Sequence, residues 1–283
     1  MSIHSPVETG GVLYLSHAYP SSTTSLIVKS SLFYSCRTTK SSSGWYGGGA
    51  IYAGCGSLSV SLSSFIHCST VFLGGAILAQ YNSTSSVISE SYFISCSANH
   101  GGGLMTHFGP ASKVILCRFM TCYAEYVGGG LYHNSNLQTS SLSVTESLFT
   151  GNRADYTYDS TYKTQGGGAF EDFRAMSYTS RYSFLFFTGN AAPTGKGCDI
   201  SIIWNALTQS SILYCFTTAA SNSFWNNGSY VNSWLPQTNA IIKVFYSLTT
   251  VNYCSPTYLY SIEIIKAMIT LFATSQIEKT LLS

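Results

Sequence analysis

Gly74-Gly75-Ala76-Ile77, followed by Ile88-Ser89-Glu90-Ser91-Tyr92-Phe93-Ile94-Ser95-Cys96, is one unit of a pattern that recurs along the chain. A glycine doublet before an apolar residue occurs at Gly10-Gly11-Val12, Gly48-Gly49-Ala50, Gly74-Gly75-Ala76, Gly102-Gly103-Leu104, Gly129-Gly130-Leu131 and Gly167-Gly168-Ala169. Successive second glycines are 38, 26, 28, 27 and 38 residues apart. Periods between about 20 and 50 residues mark repeat architectures. A second motif keeps phase with the first. It reads Phe33/Cys36, Phe65/Cys68, Phe93/Cys96, Phe119/Cys122, Phe149/Asn152 and Phe187/Asn190. Five residues before each Phe stand Val28, Val60, Ile88, Val114, Val144 and Tyr182; two before it stand Ser31, Ser63, Ser91, Cys117, Ser147 and Leu185.

Leu58 to Leu62 alternates apolar and polar, the period of a strand with one buried face. The runs are short, Ser-rich and broken by Gly in every unit, which argues against helix. A unit of about 27 residues with two or three short strands buries no apolar face alone but does so when stacked on copies of itself. The reading is all-β: a parallel β-helix of six to eight coils. Coils stack at roughly 4.8 Å, so equivalent residues form ladders. The Val/Ile and Phe columns are expected inside. The Ser column and the Cys/Asn column (Cys36, Cys68, Cys96, Cys122, Asn152, Asn190) are small, as suits bends in a narrow interior. Stacked Asn side chains bond between coils, and Cys serves as a small hydrophobe. Gly-Gly suits a corner of positive φ or close approach of coils.

Two units are lengthened by insertion. The steps from Cys36 to Gly49 and from Asn152 to Gly168 are 13 and 16 residues, against 7 or 8 elsewhere. Residues 37–46 and 153–165 are therefore read as loops extruded from the scaffold on one side. Residues 1–204 form the array, 205–257 irregular final β coils, and 258–283 a tail with helical spacing at Ile262, Ile265, Ile269 and Phe272. The first doublet has no preceding strand motif and no cap, so the chain reads as a fragment of a longer array.

Charged residues make up 8% of the 283, and net charge is +2 with basic residues scattered, which gives no footprint for nucleic acid. Nine cysteines are many, and four share one column. They read as buried thiols, with one or two disulfides between adjacent coils as the rival. Paired Cys-x-x-Cys and regularly spaced His are absent, so no metal or other cofactor is expected. No signal peptide or apolar run of bilayer length is readable. Asn82-Ser83-Thr84 and Asn227-Gly228-Ser229 are glycosylation sequons if the protein is secreted.

These motifs resemble the polymorphic outer membrane protein repeat family, whose units pair Gly-Gly-Ala-Ile with Phe-x-x-Asn. Residues 48–51 and 74–77 match the first element; residues 149–152 and 187–190 match the second. The four Cys-bearing copies look like related repeats in large surface-protein families of protozoan parasites. Residues 189–200 look like the end-of-array pattern. The resemblance covers about residues 10–204. It implies a right-handed, pectin-lyase-like β-helix at the cell surface or outside the cell, used in adhesion or antigenic display, with no catalytic residues. A membrane anchor would lie in segments absent from this chain.

The expected partner is a host or cell-surface protein or glycan. Trp45 and Tyr46 in the first insertion, and Tyr156, Tyr158 and Tyr162 in the second, have the mix of aromatics and small polar residues suited to recognition. The alternative is a polysaccharide lyase or hydrolase, which needs clustered carboxylates. Asp155, Asp159, Glu171 and Asp172, with Arg153, Lys163 and Arg174, are where it would place its site; no carboxylate pair recurs on adjacent coils. His100, His107 and His133 lie near Gly-Gly corners of neighbouring coils, where a structural role is expected.

Overall fold

The computed structural model describes residues 11–15, 25–39, 47–107, 111–135, 141–155, 167–174, 179–192, 199–204, 209–217, 224–228 and 242–246. The chain divides into units 1–247 and 248–283, and every described residue lies in the first. Among the described residues all regular structure is β-strand, and every pairing is parallel, so the chain is a β-solenoid.

Four ladders make up the solenoid. The strands leaving the glycine pairs stack as Leu13–Leu15, Ile51–Ser61, Ile77–Ser89, Leu104–His107, Leu131–Ser135, Phe170–Arg174, Ile200–Trp204 and Phe224–Gly228. A second ladder carries the Val28, Val60, Ile88, Val114, Val144 and Tyr182 column in register. A third carries the Phe column. The fourth is a separate sheet of Arg37–Thr38, Ser69–Thr70, Ser97–His100, Tyr123–Val127 and Arg153–Ala154. Strands Gln209–Thr217, Phe224–Gly228 and Ile242–Tyr246 continue the parallel pairing, with a register shift between Leu213 and Cys215. The helical spacing at 258–283 lies outside the described residues.

The interior is a stack of identical side chains. Rings of Phe33, Phe65, Phe93, Phe119, Phe149 and Phe187 follow one another at centroid separations of 4.9, 5.0, 4.6, 4.8 and 5.3 Å, tilted by 17° or less. Each ring covers its neighbour's face, adding about 0.5–1.5 kcal/mol per pair to the burial gain. In the sixth coil Phe170, Tyr182 and Leu185 take positions held earlier by Ile or Leu, Val and Ser, filling that end with aromatics.

The small columns have a firmer reason than a narrow interior. Each Ser follows a bend whose preceding residue is left-handed: Ser30, Leu62, Glu90 and Glu146 have φ of 46–51°. The Ser hydroxyl closes that bend by donating to the carbonyl two residues back, at 2.7–2.9 Å for Ser31, Ser63, Ser91 and Ser147. Its oxygen also accepts an N–H from the coil before, as Ser63 N to Ser91 Oγ at 3.2 Å and Cys117 N to Ser147 Oγ at 3.1 Å. The Cys/Asn column repeats the device at a second bend. Cys96 Sγ donates toward the Ile94 and Phe65 carbonyls at 3.5 and 3.4 Å. Asn152 accepts from Cys122 N at 3.0 Å and donates to the Phe119 carbonyl at 2.9 Å; Asn190 accepts from Asn152 N at 2.9 Å and donates to buried Asp199 at 3.0 Å.

The glycine pairing needs a correction. Leu104 pairs with Ile77 and Leu131, so Gly101-Gly102 and Gly128-Gly129 are the true equivalents of Gly74-Gly75. Gly103 and Gly130 stand in the Ala76 position. Second glycines then fall at 11, 49, 75, 102, 129 and 168, with steps of 38, 26, 27, 27 and 39. The triplets hid this because two frames fit them equally. The two glycines also answer different constraints. The first has φ of 63° at Gly74, and a Cβ there would lie 2.1 Å from the Ile77 carbonyl oxygen. The second is pressed between coils: a Cβ on Gly75 would lie 1.9 Å from the Gly102 oxygen and 2.7 Å from Ser97 N.

Gly75→Ala is therefore expected to destabilise the array by on the order of 3 kcal/mol, since all the obstructing atoms are backbone. Ala76→Gly, which only reproduces Gly103, should cost about 1 kcal/mol in backbone entropy. Urea unfolding midpoints of the two variants give the comparison; equal midpoints would contradict the close-approach argument.

Candidate functional site

Both sequence insertions fall between the fourth ladder and the next glycine pair. In uninterrupted coils the fourth ladder runs into the next glycine pair through residues 71–73 or 125–127. The first insertion occupies this place after Arg37–Thr38, and the second after Arg153–Ala154. Arg37 and Arg153 themselves are rungs, pairing with Ser69 and Tyr123, so the insertions begin later than the spacing alone implies. Both follow the C-terminal ends of strands in one sheet, of which Arg37–Thr38 and Arg153–Ala154 are the two outermost. Four rungs separate their bases, roughly 19 Å at about 4.8 Å per rung. Trp45, Tyr46, Tyr156, Tyr158 and Tyr162 lie outside the described residues. Asn82 is in strand Ile77–Ser89, opposite Cys55 beside a register shift, and Asn227 pairs with Ile203.

The described carboxylates of that group, Asp155, Glu171 and Asp172, are not gathered at one solvent-facing spot. Asp155 ends the fourth ladder and pairs with Arg153 on the surface. Asp172 is fully buried inside the solenoid and accepts a hydrogen bond from the Tyr182 hydroxyl. Adjacent Glu171 points to the opposite face of the strand and is also fully buried. Asp159 and Lys163 lie outside the described residues. Side chains on one strand alternate between faces, which is why neighbours in sequence end in different surroundings.

The strands leaving the glycine pairs carry two columns, one on each face. Inward, Ala79, Thr106, His133 and Asp172 are in register. Thr106 Oγ1 and His133 Nδ1 share a hydrogen bond of 2.5 Å. Outward, Tyr52, Leu78, Met105 and Tyr132 form a satellite apolar cluster with Leu73 and Val127, the residues just before the next glycine pairs. His100 occupies the same place as Leu73 and Val127. Its ring sits 5.1 Å from Tyr126 and 5.7 Å from Tyr132. His107 lies on the same outer face as Met105 and feels the charges of His100 and His133. Burial pushes both His100 and His107 down to about 4. Sequence spacing located them; that His100 stands in an apolar column needed the corrected register.

Among the described residues, no group of three His, Cys, Asp or Glu is placed to hold a metal ion. Cys36, Cys68, Cys96, Cys117 and Cys122 are buried thiols outside any disulfide. Burial raises the Cys96 thiol well above its ordinary value and pushes Cys117 to about 12. No described helix is long and apolar enough to cross a membrane. Comparison with protein-family models, with curated proteins and with solved structures finds no match to this chain.

Two outcomes follow from this burial. Tyr182→Phe removes a donor from the buried Asp172 carboxylate and should cost about 2–3 kcal/mol in urea unfolding; an unchanged midpoint would show that Tyr182 contributes nothing there. In the native protein Cys96 and Cys117 should resist a thiol reagent at pH 8, becoming labelled only in denaturant, as read by peptide mass spectrometry.

Proposed function

We propose that this chain is a non-catalytic, cell-surface or secreted β-solenoid that binds a protein or glycan through the two inserted loops. On this reading it is kin to the polymorphic outer membrane protein repeats, with a right-handed, pectin-lyase-like coil. The observation that carries the proposal is that both insertions follow the C-terminal ends of strands in one parallel sheet. A rigid ladder holds their bases roughly 19 Å apart, a span suited to a partner that engages both. Rigid scaffolds with variable loops are the usual division of labour in recognition. The composition of the loops, with Trp45, Tyr46, Tyr156, Tyr158 and Tyr162 among Ser and Thr, fits the role. The interior ladders contribute stability and position, not chemistry. An enzyme reading finds less support, since Asp172 is enclosed and Asp155 is engaged by Arg153.

Each insertion can be replaced by the short connection Val71-Phe72-Leu73 without disturbing the ladders. The expected result is loss of cell-surface or glycan-array binding, by at least tenfold for either replacement and completely for both, with an unchanged far-ultraviolet spectrum. Binding that survives the double replacement, or turnover of an acidic polysaccharide by the intact chain, would overturn the proposal.

A further inference from the structure

On the outer face of the middle coils, the chain entering each glycine pair folds back over the strand leaving it. Leu73 and Val127 do this with apolar side chains, joined by Phe72 and Tyr126. The coil between them does it with His100, which bridges to Leu73 on one side and Val127 on the other. Its backbone is held by bonds of 3.0 Å to the Phe72 carbonyl and 2.9 Å from Gly74 N. Beneath lies a floor of Leu78, Met105 and Tyr132, with His107 beside it. His100 therefore stands in a contact that elsewhere is made by hydrocarbon, and His107, in register with Gln80 and Asn134, is buried on the same face as Met105.

We propose that this contact is an acid-sensitive latch: protonation of His100 and His107 lifts residues 97–100 and 125–127 from the outer face and uncovers the Leu78, Met105 and Tyr132 floor.

The titratable groups around the contact favour this. His133, on the strand Leu131–Ser135, is a third imidazole and opposes any charge gained by His107. Tyr126 and Tyr132 flank His100. Burial and then the charge of Glu171 hold the Tyr132 phenol well up, so it stays neutral throughout the acid range. Glu125, beside Tyr126, is exposed to water. Glu171 and Asp172 are on the strand Phe170–Arg174, one coil beyond His133, and Asp172 is engaged by Tyr182. In the open form each imidazole regains its ordinary value of 6.5, against about 4 when closed. The closed form thus binds fewer protons between these values. Its stability is full above about pH 6.5, declines as pH falls through that range, and is lowest below about pH 4. At pH 4.5 each histidine would shift the open-to-closed ratio by up to roughly 100-fold.

Hydrogen exchange of the full chain at pH 7.5 and 4.5, corrected for intrinsic chemical rates, tests this. Peptides spanning 71–80, 97–107 and 123–132 should exchange at least tenfold faster at pH 4.5, while those covering Ser64–Ile66 and Arg118–Met120 stay protected. The acid step should vanish in the double variant His100→Gln, His107→Gln. If that variant does not fold, carbon-13 imidazole titration of the wild-type chain should give two histidines that protonate below pH 5 together with the exchange step. Acceleration spread evenly over all coils, no acceleration, persistence of the step in the double variant, or ordinary titration of both histidines near 6.5 would each overturn the latch.

Discussion

Everything in this solenoid depends on placing one coil directly over the next at the hydrogen-bonding distance of a parallel sheet. That spacing forces like residues into columns, so each position must accept a copy of itself as its neighbour. Phe meets the demand by parallel ring stacking, and Ser and Asn meet it by bonding to the coil before. The tightest point is the glycine pair, where the backbone of one coil nearly touches the next. A Cβ at Gly49, Gly75, Gly102 or Gly129 would fall inside a neighbouring carbonyl, so the side-chain hydrogen there is a condition of the stacking itself. The pair is spent on two separate needs, a left-handed turn and then a gap.

The same geometry explains how polar groups are tolerated inside. The Ser, Cys and Asn columns lie at bends, where the strand pairing leaves backbone groups in need of short-range partners. Cys answers weakly, with sulfur-to-carbonyl contacts of 3.4 to 3.7 Å, and Asn strongly, with bonds near 3.0 Å on both sides. The exchange of Cys for Asn along the chain is thus a change of bond strength within one role. The run ends at Asp199, which accepts from the last Asn. Thr106, His133, Asp172 and Tyr182 form a second interior polar set, held off water by the aromatic end of the array.

A rigid stack of this kind also confines variation. Within the ladders extra residues are absorbed as local register shifts, as between Ala53 and Ser57, whereas the two long insertions fall in connections between ladders. Both insertions follow strands of the same sheet, and the segments at 71–73 and 125–127 mark what they replace. The outer-face contact around His100 is another place where the described scaffold departs from repetition. Its polar content gives it a pH response that the hydrocarbon versions lack.

Much of this was legible in the chain because the repeat converts three-dimensional stacking into a period that can be counted. The Val, Ser, Phe and Cys/Asn columns, the parallel coil and the interior place of Phe all follow from alignment on Phe93 and its equivalents. Other features were not legible. The frame of Gly101-Gly102-Gly103 is ambiguous in sequence and is fixed only by pairing of Leu104 with Ile77. The bends at Leu62, Glu90 and Ser95 carry no glycine, because the bonded coil imposes a left-handed backbone that local propensity does not favour. Glu171 and Asp172 look like one acidic pair until the strand sends them to opposite faces. The sequence by itself determined which residues repeat, since stacking demands self-compatible columns. Only the tertiary structure decided which repeated residues bend, which approach, and which buried polar groups meet, since these depend on contacts between coils that no single unit contains.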